Sequence, residues 1–174
     1  MVALLLCAFA AQCVTQLPPL SIIHGQWDSA DMTTNGYSRS CVLVDSPKGK
    51  SYELAKQLHT TIVFAKDNPD ISPYDFIVII CSNTGDEELT YHLECYLISL
   101  KVMSKKYALC ELGNYFGMER DCFGSKKIVR YYLAKLGWVE YTHASVDAFP
   151  ELDMQMAELW MYKTHEAILH NKCD

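Results

Sequence analysis

Six consecutive apolar residues, Phe76 to Cys81, pass without a break into the short polar turn Ser82-Asn83-Thr84-Gly85-Asp86, and an amphipathic segment follows. An uninterrupted apolar run of strand length fits a strand buried on both faces, as in a covered parallel sheet. In an open sheet of that kind ligands lie outside the carboxyl ends of the strands, where the chain turns into a helix. A buried strand that ends in hydroxyl, amide and glycine residues is therefore a candidate floor for a planar or phosphorylated ligand.

The same alternation recurs along the chain from Ser40 onward. Cys41 to Asp45 reads as a short buried strand, Ser46-Pro47-Lys48-Gly49-Lys50-Ser51 as a turn, and Tyr52 to Leu58 as a helix. Thr61 to Phe64 is a second strand, and the proline-containing stretch Asp67 to Tyr74 is a connector. After the third strand a helix is expected from about Glu87 to Met103, then a strand over Lys106 to Leu112 that is broken by Gly113-Asn114. A long loop leads to a helix over Ser125 to Leu136, a fifth strand over Trp138 to Thr142, and a closing helix over Leu152 to His170. The inward residues of that last helix are expected to be Met154, Met156, Leu159, Trp160 and Ile168. Strands alternating with helices imply right-handed βαβ units, and five of them make a doubly wound α/β sheet with helices on both faces.

Residues 1–39 are expected to form an extension ahead of a single domain over 40–174. Val2 to Ala11 has the length of a signal-peptide core but lacks the preceding positive charge, and it is too short to span a bilayer as a helix. No pair of cysteines has the CxxC spacing, so neither a zinc ribbon nor a thioredoxin-type motif is supported, and Cys41, Cys81 and Cys110 read as reduced core residues. These points imply a cytoplasmic protein, with secretion through the apolar N-terminus as the alternative. The net charge of −6 provides no basic stripe to neutralise phosphates, which argues against a nucleic-acid partner. His92 and Cys95 stand three apart on the helix expected after the third strand, but no second pair supports a metal site.

Three loops follow strands that share one direction, so they converge on one edge of the sheet. Ser46 to Ser51 joins a strand to a helix, and its hydroxyls, Gly49, Lys48 and Lys50 suit an anion at a helix N-terminus. It lacks the spacing of a Walker loop. Ser82 to Glu88 is the second loop. The third, Gly113 to Gly124, is long for an α/β connection and carries Tyr115, Phe116 and Phe123, which offer stacking surfaces.

Together these loops resemble those of the flavodoxin-like FMN-binding domains, especially the FMN domains of two-flavin reductases, over roughly three quarters of the chain. Ser46-Pro-Lys-Gly-Lys-Ser51 is similar to their phosphate loop. Tyr74-Asp-Phe…Cys-Ser-Asn-Thr-Gly-Asp-Glu-Glu88 resembles the run that flanks the isoalloxazine. Tyr107-Ala-Leu-Cys-Glu-Leu-Gly-Asn114 followed by Ser125-Lys-Lys…Leu-Ala-Lys-Leu-Gly137 resembles the fourth strand, flavin loop and fourth helix. The resemblance implies strand order 2-1-3-4-5 and FMN held by Ser46, Lys48, Gly49, Lys50, Ser51, Ser82, Asn83, Thr84, Gly85, Asp86, Gly113, Asn114, Tyr115, Phe116 and Asp121. It further implies an electron carrier that takes electrons from a flavin reductase or other redox protein and passes them to an acceptor. The carboxylates Asp86, Glu87, Glu88, Glu119 and Asp121 would disfavour the anionic reduced flavin and steer a basic partner.

The chain departs from that pattern where Thr84 and Gly117 stand in place of aromatics, where Glu87 replaces a usual glycine, and where Pro47 and Lys48 enter the phosphate loop. These departures define the alternative, a flavodoxin fold whose cofactor site has decayed and which serves as a protein-interaction or scaffolding domain.

Overall fold

A computed structural model of the chain describes residues 39–83, 88–114 and 124–170. Apart from Arg39, the expected N-terminal extension lies outside the described residues. Five strands, β1 (Ser40–Val44), β2 (Thr61–Phe64), β3 (Phe76–Ser82), β4 (Lys106–Gly113) and β5 (Val139–Asp147), form one sheet in the order β2-β1-β3-β4-β5. Every pairing is parallel, so the doubly wound order 2-1-3-4-5 is the one expected. Among the described residues the helices are α1 (Gly49–Lys56), α2 (Tyr91–Ser99), α3 (Gly124–Lys135) and α4 (Met154–His170), with a single 3-10 turn at Ala65–Asp67.

Side chains alternate across each strand, so odd and even positions of the central strands pack on opposite faces. Cys41, Leu43, Ile77, Ile79, Cys81, Tyr107 and Leu109 join Leu93, Tyr96 and Leu97 of α2 and Val129 and Leu133 of α3 in one core cluster. Val42, Val44, Val78, Ile80, Ala108, Cys110 and Leu112 are equally buried on the other face, which α1 and α4 cover. Each large aliphatic side chain buried in this way contributes ~1.5–3 kcal/mol by leaving water. Tyr52 of α1 packs its ring on Phe64 of β2 at 5.8 Å, which seats α1 at that end of the sheet.

Several element bounds differ from expectation, each for a local reason. Helix α1 begins at Gly49, three residues earlier than expected, because the chain turns there in a single step. Lys48 is still extended, and Gly49 takes the left-handed φ of +82° that a side chain resists. Helix α2 is shorter than expected at both ends. Its start follows extended Thr90, and the Asp45 carboxylate accepts the Leu93 N–H at 3.1 Å in the first turn. At its end the Ser99 hydroxyl donates to the Tyr96 carbonyl at 2.7 Å, and Leu100 is extended.

Strand β5 runs on to Asp147, and its register with β4 slips between Tyr107 and Ala108, so that Tyr141 is the extra residue of a bulge. On α4 the buried stripe is Ala157, Trp160, Met161, Thr164 and Ala167. Of the expected inward residues only Trp160 is fully buried, and Met154 is exposed. Small side chains on this stripe let the helix lie close to the sheet, which moves the bulkier Met156, Leu159 and Ile168 to half-buried flanks.

Candidate functional site

Because all five strands run the same way, the loops after β1, β3, β4 and β5 rise from one edge. The chain leaves β1 toward β2 and leaves β3 toward β4, in opposite directions, so the crevice between β1 and β3 is the switch point of the sheet. The first loop stands directly above it. The Ser46 carbonyl accepts the Lys48 N–H at 2.8 Å, and α1 then opens with neither a side-chain cap nor an acidic residue in its first turn. Such an N-terminus presents backbone N–H groups and the positive end of the helix dipole to an anion.

Three of the expected phosphate residues, Ser51, Lys48 and Lys50, are placed differently from one another. Ser51 Oγ lies 2.9 Å from Ser82 Oγ, which joins the first and second loops across β1 and β3. Lys48 is exposed, and its side chain makes no hydrogen bond or ion pair among the described residues. Lys50 is engaged elsewhere: its ammonium donates to the carbonyls of Ala148 and, at 3.0 Å, Pro150 in the loop after β5. Of the two lysines, Lys48 is therefore the one placed to meet an anion.

Asn83 follows at the end of β3, with its N–H bonded to the Leu112 carbonyl at 2.8 Å. Its side-chain Oδ1 is buried and has no hydrogen-bond partner among the described residues, and the same holds for Thr90 Oγ1 at the start of α2. A buried amide oxygen without a donor costs roughly 1–3 kcal/mol, and a ligand bearing N–H or O–H groups at this edge would recover it. Gly113 is buried at the end of β4 and accepts the Ala148 N–H at 2.7 Å, while Asn114 is exposed. Thr84, Gly85, Asp86, Tyr115, Phe116 and Asp121 lie outside the described residues.

Between β4, β5 and the start of α3 lies a polar cluster that the sequence reading did not single out. Glu111 is fully buried on β4. Its Oε1 accepts the Ser125 hydroxyl at 2.5 Å and the Lys126 N–H at 2.9 Å, and so holds the first turn of α3. Its Oε2 accepts the Ser145 hydroxyl at 3.3 Å, and Ser145 in turn accepts from Lys126 Nζ at 2.9 Å. The available signal was one carboxylate inside the otherwise apolar run Tyr107 to Leu112. The Cys81 thiol reaches Ser125 Oγ at 4.0 Å; burial, reinforced by the Glu111 charge, pushes it up to about 12. Burial also pushes Cys41 up to about 12 and raises Cys110, so all three are protonated, unreactive thiols near neutral pH. Among the described residues no group of three or more His, Cys, Asp or Glu side chains is arranged to hold a metal ion.

No family model and no curated protein matches this sequence. Solved structures do. Oxidised flavodoxin 1 from Bacillus cereus is 18% identical with a TM-score of 0.58, over 74% of this chain and 98% of its own. A cysteine-to-alanine mutant of flavodoxin from Pseudomonas aeruginosa is 17% identical with a TM-score of 0.59, over 75% of this chain and 98% of its own. Fusobacterium nucleatum flavodoxin bound to flavin mononucleotide is 10% identical, also at a TM-score of 0.59, over 75% of this chain and 99% of its own. With the strand order, these similarities show a flavodoxin-like α/β fold.

Proposed function

We propose that this chain is an FMN-binding electron carrier, charged by a separate reductase or other redox protein and discharged to an acceptor. The observation that carries the reading is the edge between β1 and β3. There a helix N-terminus without a side-chain cap, the Ser51–Ser82 hydroxyl pair and an Asn83 Oδ1 that has no partner among the described residues come together. The flavodoxin-like fold supports it, since the similar Fusobacterium nucleatum protein carries flavin mononucleotide.

The residues fit the group by chemistry. The N–H groups at the start of α1, Ser51 and Lys48 would take the phosphate. Asn83 and the backbone at Gly113 would meet the ring edge, alongside Thr84 to Asp86 and Tyr115, Phe116 and Asp121. When bound, the flavin supplies reversible electron uptake, and the protein contributes position, exclusion of water and nearby charge. No acid, base or nucleophile is required of the chain. The three buried thiols support a cytoplasmic setting. Among the described residues no helix is long and apolar enough to cross a membrane.

Titration of the purified protein with FMN, followed by quenching of flavin fluorescence, tests the proposal. Saturation at about 1–10 µM, weakened by Ser51→Ala, is the expected result. No quenching up to about 1 mM from a chain that is folded by circular dichroism would overturn it and leave a flavodoxin fold used for protein binding.

A further inference from the structure

Phe149 lies in the loop after β5, which the sequence reading did not count among the site loops. Gly113 and Asp147 are register partners at the ends of β4 and β5, so the chain enters this loop beside the start of the third site loop. The Ala148 N–H donates to Gly113 O at 2.7 Å. From the other side Lys50, at the start of α1, binds the carbonyls of Ala148 and Pro150, the two residues that bracket Phe149. The backbone is held a third time, since the Phe149 N–H donates to Asp147 Oδ1 at 3.3 Å and the Asp153 N–H donates to Asp147 O at 2.7 Å.

A loop tied at so many points presents its side chain from a rigid base. Yet the Phe149 side chain is 65% exposed, and its ring meets no other aromatic ring among the described residues. An apolar ring kept in water on a fixed backbone gains nothing for the fold. Tyr91, the other strongly exposed aromatic near this edge, is 75% exposed but packs its ring on His92 at 5.6 Å within α2. Among the described residues, Phe149 is thus the strongly exposed aromatic at this edge whose ring packs on no other ring.

We propose that Phe149 is a binding residue that offers an aromatic face to the planar ring of the ligand at this edge. Under the flavin reading, on which this inference rests, that ring is the isoalloxazine. The Lys50 strap is the device that positions it. An aromatic contact of this kind is worth about three- to tenfold in affinity, and it acts on the ring and not on the phosphate.

Dissociation constants for FMN and for riboflavin, which has the same ring without the phosphate, separate the two ends of the site. Phe149→Ala is expected to weaken both ligands by the same factor of about three to ten, and Phe149→Tyr to bind both as the unaltered chain does. Ser51→Ala is expected to weaken FMN while leaving riboflavin unchanged. The proposal is overturned if Phe149→Ala binds both flavins normally, or if it loses FMN alone, which would mean that the strap serves the phosphate end. The unaltered chain failing to bind either flavin would overturn the carrier reading and this proposal with it.

Discussion

The face of the sheet under α1 and α4 is closed by carbon: Val42, Val44, Val78, Ile80, Ala108, Leu112 and Trp160 leave almost nothing to water. The face under α2 and α3 is as dry, yet it carries Glu111, Ser125, Lys126 and Ser145 toward the carboxyl edge. Toward the other end it carries Glu140 between Arg130, Tyr107 and His143. Carbon packing tolerates sliding, because apolar contacts have no direction, whereas hydrogen bonds to a carboxylate specify one register. The polar face is the one that must set the start of α3 where the long third loop ends. We read its buried charges as a locating device more than a source of stability, in line with the general cost of desolvating ions.

Removing the Glu111 carboxylate should test that contrast most severely. Glu111→Leu leaves the Ser125 hydroxyl, the Lys126 N–H and the Ser145 hydroxyl without their acceptor, and a loss of about 3–5 kcal/mol in urea unfolding is expected. The paired change Glu111→Leu with Lys126→Met should recover a good part of it, because no buried ammonium then lies beside the site of the lost carboxylate. A single variant as stable as the parent would break the distinction between the faces.

On the carbon face the sign should reverse. Thr164 is fully buried on α4 and its hydroxyl has no hydrogen-bond partner among the described residues. Thr164→Val is therefore expected to raise stability by about 1 kcal/mol. A measured loss would show that this hydroxyl does have a partner and that the face is less purely apolar than its neighbours imply.

The smallest effect concerns the amino end of the polar face. Burial pushes the Glu140 carboxyl up, but the hydrogen bonds and charge of Arg130, with help from Tyr107 and His143, outweigh it and hold the group below its ordinary value. A carboxylate whose folded value is depressed contributes stability that is complete above its unfolded value of about 4.3. That contribution is lost as pH falls through the folded value. Arg130→Gln should accordingly cost about 0.5–1 kcal/mol at pH 7 and nothing once the carboxyl is protonated in both chains. Parallel unfolding curves at descending pH would show the two proteins converging; a constant gap would assign the loss to packing of the arginine stem.

The contrast between the faces also explains what could be read from the sequence. Strands β1, β3 and β4 were legible because burial on both faces leaves continuous apolar runs, and their order came from the resemblance of the loops. Strand β5 extends beyond the expected end at Thr142, through the polar positions His143, Ser145 and Asp147. Ser145 is polar because it faces Glu111 across the sheet, a reason that only tertiary structure supplies. The Ala157, Thr164 and Ala167 stripe was missed because bulk was taken as the mark of burial, while close approach of α4 selects small residues. At the site, Ser51 and Ser82 meet although they stand in separate loops. Lys50 reaches residues 98 and 100 positions away, which no local pattern announces.

Asp45 sends its carboxylate to the Leu93 N–H at 3.1 Å and its carbonyl to the Lys66 N–H at 3.2 Å. One residue at the foot of the first loop thus moors both α2 and the turn after β2. Adding or deleting a residue there would unseat two neighbours whether or not any ligand is present, and the Lys50 strap guards the opposite rim in the same way. The spacing of the rim is inherited with the fold itself. A descendant that gave up its ligand would keep the silhouette of the cradle for a long time. Its abandonment would be written first in the side chains that no partner among the described residues protects, Lys48 and Asn83.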